Sequence, residues 1–150
     1  MNTSARRLTI STFTAFVVGF MGFIGANAAN AGYSGYGYYG PVYGYNYGNY
    51  SGVFATDRTY AVGGIFKNGS GTVPVGYMQV NARLFLATGE LCKESGFYYN
   101  DVASSGLSVP TQGSGCALPS YYYGYAVTAS YNGGGYSYYY APRTENIPGV

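Results

Sequence analysis

The chain has 150 residues, among them 21 tyrosines, 25 glycines, two cysteines and no histidine, and its seven Lys and Arg against five Asp and Glu give a formal charge of +2. Without an imidazole, the usual base of serine and cysteine hydrolases and the usual ligand of catalytic zinc are both missing. Basic residues this few and this scattered leave no electrostatic footprint for nucleic acid or for an anionic membrane surface.

In chain order, the first element is a predicted export leader over residues 1–31. Arg6 and Arg7 form its positive head, the run from Phe13 to Ile24 its apolar centre, and Ala26-Asn27-Ala28 and Ala29-Asn30-Ala31 two overlapping small-residue sites. Cleavage is expected after Ala28 or Ala31, and the apolar run falls short of the ~20 residues that cross a bilayer. Leu8-Thr9-Ile10 is a poor continuation for twin-arginine export, so general secretion is the expected route, with no membrane insertion after cleavage. Without Arg6 and Arg7 the remaining charges balance, five against five.

Residues 32–50 follow, "GYSGYGYYGPVYGYNYGNY", with no charge and no Leu or Ile. Frequent glycine makes a backbone costly to order, and without a core of its own the segment is expected to be a flexible arm. Tyrosine supplies large contact area for few rotatable bonds, so Tyr36, Tyr38, Tyr39, Tyr43, Tyr45 and Tyr47 are candidate binding residues. A passive low-complexity spacer is the competing reading.

Residues 51–142 are expected to form one all-β domain, a small antiparallel sandwich or barrel of about six to eight strands, with 143–150 as a C-terminal tail. Met78, Val80, Ala82, Leu84 and Leu86 alternate with Gln79, Asn81, Arg83 and Phe85, which puts a core on one face and a largely wet surface on the other. The same period puts Tyr121, Tyr123, Tyr125, Val127, Ala129 and Tyr131 on one side. Asn132-Gly133-Gly134-Gly135 then predicts a hairpin turn returning as Tyr136 to Ala141. Shorter strands are expected around Gly52 to Thr56, Thr59 to Phe66, Gly96 to Val102 and Gly106 to Thr111, and no stretch reads as an amphipathic helix.

Cys92 and Cys116 are predicted to form a disulfide, since an exported chain meets an oxidising environment. There is no Cys-x-x-Cys spacing, and neither a metal nor another cofactor is expected. Asp57, Glu90, Glu94 and Asp101 are the carboxylates from which a glycosidase pair would have to come, but a chain this short has little room for a deep cleft, so no catalytic residue is assigned. Tyr121, Tyr123 and Tyr125 join the candidate binding residues, because consecutive strand residues face opposite ways and some tyrosines must be exposed. The competing reading is a plain β-compatible surface, since tyrosine has high strand propensity.

The stretch VPVGYMQVNARLFLATGELCKESGFYYN (Val73 to Asn100), the later Cys116 and the YYYGYAV run near Tyr121 resemble small uncharacterised secreted proteins of Gram-positive bacteria, particularly actinobacteria. The resemblance covers about the last 95 residues and implies a fold and an export route, but no site. The layout is also similar to that of secreted adaptors in large toxin particles, where an N-terminal arm engages a lectin-bearing subunit. The sequence therefore predicts a secreted, non-enzymatic interaction module docking onto a partner protein or a cell-wall glycan. The alternatives are a structural surface-layer or fibre protein that self-associates through tyrosine-rich segments, and a small diffusible antibacterial protein.

Overall fold

The computed structural model describes residues 30–113, 116 and 120–150, so the expected leader lies outside the described residues except for Asn30 and Ala31. These residues contain no helix. Their thirteen strands are β1 (Asn30–Tyr33), β2 (Gly37–Val42), β3 (Tyr45–Ala55), β4 (Thr59–Lys67), β5 (Met78–Asn81), β6 (Arg83–Leu86), β7 (Leu91–Glu94), β8 (Tyr98–Tyr99), β9 (Gly106–Pro110), β10 (Tyr121–Gly124), β11 (Val127–Tyr131), β12 (Tyr136–Tyr140) and β13 (Ile147–Pro148). All pairings are antiparallel.

The long strand β3 organises the first sheet. β4 runs along one side of it with β9 beyond, while β1 and then β2 follow each other along its other side. The second layer consists of two ladders, β12-β11-β5-β8 and β13-β10-β6-β7, laid end to end. Across the break the Tyr125 amide donates to the Arg83 carbonyl, and the Ala141 and Thr144 amides donate to the carbonyls of Ala126 and Gly124. The thirteen short strands therefore lie on eight chain lines, four per layer. This is the expected antiparallel sandwich with about the expected number of lines, and the sheets do not close into a barrel.

The alternation read from Met78 to Leu84 holds: Met78, Val80, Ala82 and Leu84 are completely buried, and Leu86 at the end is half-buried. The predicted hairpin is β11 and β12, closed by the Asn132 amide donating to the Gly135 carbonyl, with Gly133 at φ 98°. Cys92 and Cys116 form the expected disulfide, with Cα atoms 5.7 Å apart. The strand expected over Gly96 to Val102 is only the two residues of β8.

Two expectations are overturned. Residues 32–50 are not a flexible arm; they supply half of β1, all of β2 and the first half of β3. The reason lies in cross-strand register. On the outer face of the first sheet Gly48 sits opposite Phe66 and Tyr50 opposite Gly64. A Cβ on Gly48 would lie 2.2 Å from the Phe66 ring, and one on Gly64 2.1 Å from the Tyr50 ring, so each glycine is the space its neighbour's ring occupies. On the inner face Tyr47, Asn49 and Ser51 are buried, and Tyr43 and Gly44, both at positive φ, make the tight turn joining β2 to β3. Nor are residues 143–150 a free tail: β13 pairs with β10, and Ile147 and Thr144 are buried.

The interior has two lobes. One holds Val42, Tyr47, Ile65, Val73, Met78, Val80, Ala82 and Val109, with Tyr39, Tyr45, Tyr77 and Tyr139 packed against it. The other holds Val53, Ala55, Ala61, Leu84, Tyr122 and Ile147, with Leu86 and Cys92. Between the lobes the layers approach closely, since a Cβ on Gly124 would lie 2.4 Å from the Gly52 carbonyl oxygen. Hydrogen bonds cross there and in the first lobe: the Ala126 backbone amide donates to Ser51 Oγ at 2.9 Å, and the Asn49 side-chain Nδ2 donates to Thr128 Oγ1 at 3.0 Å.

Candidate functional site

The nine tyrosines singled out in the sequence do not converge on one site. Tyr39 and Tyr47 belong to the interior, where Tyr39 stacks between Tyr47 and Tyr139 with ring centroids 5.6 and 3.7 Å away. Its hydroxyl lies 3.2 Å from Thr128 Oγ1 and 3.1 Å from Ser130 Oγ. Tyr43 and Tyr45 close one end of the sandwich with Tyr77 and Tyr131. Tyr36 and Tyr38 lie on the outer face of the first sheet, edge-on to Phe66. Tyr121, Tyr123 and Tyr125 lie on the outer face of the second sheet, by alternation with the completely buried Tyr122.

Burial shifts the phenols it encloses. Desolvation, helped by neighbouring Tyr39, Tyr45 and Tyr77 and opposed by Ser130, pushes the Tyr47 hydroxyl up to about 12. Tyr39 is also raised by burial, against the hydrogen bonds from Ser130 and Thr128. Burial likewise raises Tyr50, against its hydrogen bond to Ser108. A phenol held above its ordinary value stays neutral at any physiological pH, so these tyrosines act through ring contact and hydroxyl polarity.

The second sheet's outer face gathers the most connected exposed group. Alternation along β12 points Tyr136, Tyr138 and Tyr140 outward, and Tyr138 and Tyr140 are about 60 % exposed. The Arg83 guanidinium lies over the rings of Phe85, Tyr125 and Tyr140 at 5.3, 5.5 and 5.5 Å from their centroids, and Arg83 Nε donates to the Tyr125 carbonyl. Tyr125 and Tyr140 stack at 5.4 Å, and Phe85 and Tyr123 at 5.2 Å. Arg143 covers Tyr123 at 3.5 Å from its ring centroid. Glu94, the cross-strand neighbour of Arg83, accepts a hydrogen bond from the Asn81 side chain.

Phe97 meets Tyr138 edge-on and also lines a groove of about 520 Å³ with Tyr98, Tyr99, Asp101 and Leu107, so the aromatic face continues around the edge between β8 and β9. Phe97, Arg83, Arg143, Tyr138 and Tyr140 are absent from the sequence-derived binding set. The signal that could have found them is the two-residue period of Tyr136, Tyr138 and Tyr140 in a strand paired through a tight hairpin.

Of the carboxylates considered for a glycosidase pair, Asp57 lies in the turn between β3 and β4, where a hydrogen bond from Thr56 holds it below the usual carboxylate range. Glu94 ends β7, and Asp101 lines the groove. Among the described residues no three His, Cys, Asp or Glu side chains are grouped as a metal ion would need, and no helix is long and apolar enough to cross a membrane. Comparison with known protein families, with curated proteins and with solved structures finds no match.

Proposed function

We propose that the protein is a secreted, non-enzymatic interaction module that docks onto a partner protein through the tyrosine- and arginine-bearing outer face of its second sheet. The observation that carries this reading is the group of exposed Tyr138, Tyr140 and Phe97 around Arg83. Tyrosine and arginine dominate interface hot spots, since each offers large contact area together with hydrogen-bonding groups. Contiguous exposed aromatic surface is uncommon on monomers without such a role. The disulfide and the leader-like residues 1–31 support export, and a role as an adaptor in an extracellular assembly fits a small, rigid, stapled sandwich.

Immobilised protein exposed to culture medium tests the reading. The expected result is one partner protein retained in stoichiometric amount and lost on Arg83→Ala combined with Phe97→Ser, with the thermal transition retained. Retention of a polysaccharide instead would shift the reading to a cell-wall glycan. Capture undiminished by the double substitution would move the site off this face.

A further inference from the structure

An antiparallel sheet that is not closed has edges, and a protein that avoids pairing through them blunts each one with charge, proline, a bulge or shortness. In the first sheet, the β1 and β2 edge is interrupted between Tyr33 and Gly37, shifts register between Tyr39 and Val42, and contains Pro41. On the opposite side β9 ends in Pro110. In the second layer β7 carries Lys93 and Glu94 and shifts register, β8 has two residues, and β13 has two residues with a proline.

The edge strand β12 has none of these devices. Its sequence Tyr-Ser-Tyr-Tyr-Tyr holds no charge, proline or glycine, and it pairs with β11 in unbroken register over five residues. Among the described residues no strand pairs its far side. The hydrogen bonds from the Asn132 amide to Gly135 and from the Ala141 amide to Ala126 set the alternation, so residues 137 and 139 bond to β11 and the backbone groups of Tyr136, Tyr138 and Tyr140 point outward.

We propose that β12 pairs with β12 of a second copy of this chain, antiparallel about a two-fold axis through Tyr138. In that register Tyr138 faces the second copy's Tyr138 and each Tyr136 faces a Tyr140, so all three outward donor and acceptor sets are satisfied. Their side chains share the outer face, and the tyrosines meet as directly opposed aromatic pairs. Charge favours a second copy as the occupant. The strand brings no like charges together, and the antiparallel register sets the arginine end of each copy, Arg83 over Tyr140 and Arg143 beyond Ala141, beside the other's uncharged Asn132–Gly135 turn. The four-line second layer becomes an eight-line sheet, whether or not its outer face binds another protein.

Sedimentation of the purified protein over a range of concentrations tests the pairing. The native chain is expected to form a dimer and Tyr138→Lys a monomer that keeps a cooperative thermal transition, at the lower temperature that loss of association brings, because the two-fold axis sets lysine against lysine. Mixing Tyr138→Lys with Tyr138→Glu should restore the dimer, which only a 138-to-138 contact explains. Should Tyr138→Lys disturb the fold, Tyr138→Pro removes an N–H that points outward and no bond to β11, and is expected to give a folded monomer. A monomeric native chain, a dimer indifferent to both substitutions, or a lysine and glutamate mixture that stays monomeric would each overturn the proposal.

Discussion

The two lobes of the interior reach the same end with different chemistry. Around Leu84 the lobe is built of Val53, Ala55, Ala61 and Ile147 with a single ring, Tyr122, and borders the disulfide at Cys92. Around Tyr47 it is built of five tyrosines together with aliphatic side chains, and it carries a polar seam in which Asn49, Thr128, Ser130 and Tyr39 exchange hydrogen bonds between the layers. Aliphatic burial needs only exclusion of water, whereas each buried hydroxyl or amide also needs a partner. The aliphatic lobe should therefore respond to lost volume, and the tyrosine lobe to register and to pH.

The largest expected effect comes from removing the glycine-rich segment, which supplies Val42 and Tyr47 to the tyrosine lobe. Deleting residues 32–50 takes away β2, the first half of β3 and the buried Val42, Tyr47, Asn49 and Tyr50. A domain holds only about 5–15 kcal/mol of stability in all, so this loss should leave the chain unfolded. A truncated protein with an intact cooperative thermal transition would return the segment to the status of an arm.

A smaller effect tests the aliphatic lobe alone. Leu84 is completely buried, and Leu84→Ala is expected to cost ~2 to 5 kcal/mol, from lost burial and the cavity left behind. Arg83→Ala, one residue away on the outer face, removes contacts with exposed and half-buried rings and should cost well under half as much. A lower denaturant midpoint for Arg83→Ala than for Leu84→Ala would mean that the inward and outward faces are reversed.

These contrasts also show what a single chain makes legible. The run from Met78 to Leu86 is readable because large apolar residues alternate with polar ones, so period and burial carry the same message. The Asn132–Gly135 turn is readable because local backbone demands select its residues. The segment from Gly32 to Tyr50 has the same two-residue period, but there tyrosine takes the place of leucine inside, as at Tyr47, while on the outer face glycine sits across from a ring, Gly48 facing Phe66 and Gly64 facing Tyr50. Glycine opposite a ring and glycine in a disordered linker are the same letter, and only pairing distinguishes them. For that reason the tyrosines of the candidate site were identifiable by type, while their division among interior, end and two outer faces was not.

The smallest expected effect at neutral pH, and the one most specific to the tyrosine lobe, comes from a single oxygen. Tyr47 is completely buried, and its hydroxyl lies near Ser130 without a hydrogen bond of good geometry. Tyr47→Phe keeps the ring and its stacking on Tyr39 while removing a buried hydroxyl without a well-formed hydrogen bond among the described residues, so the denaturant midpoint at neutral pH should be unchanged or slightly higher. At alkaline pH the native chain should behave differently. Its folded-state value of about 12 lies above the ordinary 10.0, so between the two the unfolded chain has released a proton that the folded chain still holds. The stability this provides is fully present below pH 10 and is lost as pH rises through about 12. Denaturant midpoints followed across that interval should fall more steeply for the native chain than for Tyr47→Phe, with tyrosinate absorbance rising as the fold is lost. Residual alkaline loss in the variant is expected from Tyr39 and Tyr50, whose phenols are also raised by burial. Parallel curves for the two proteins would show that Tyr47 ionises without opening the lobe, and Leu84→Ala, which leaves every phenol in place, should shift the whole native curve down without changing its slope.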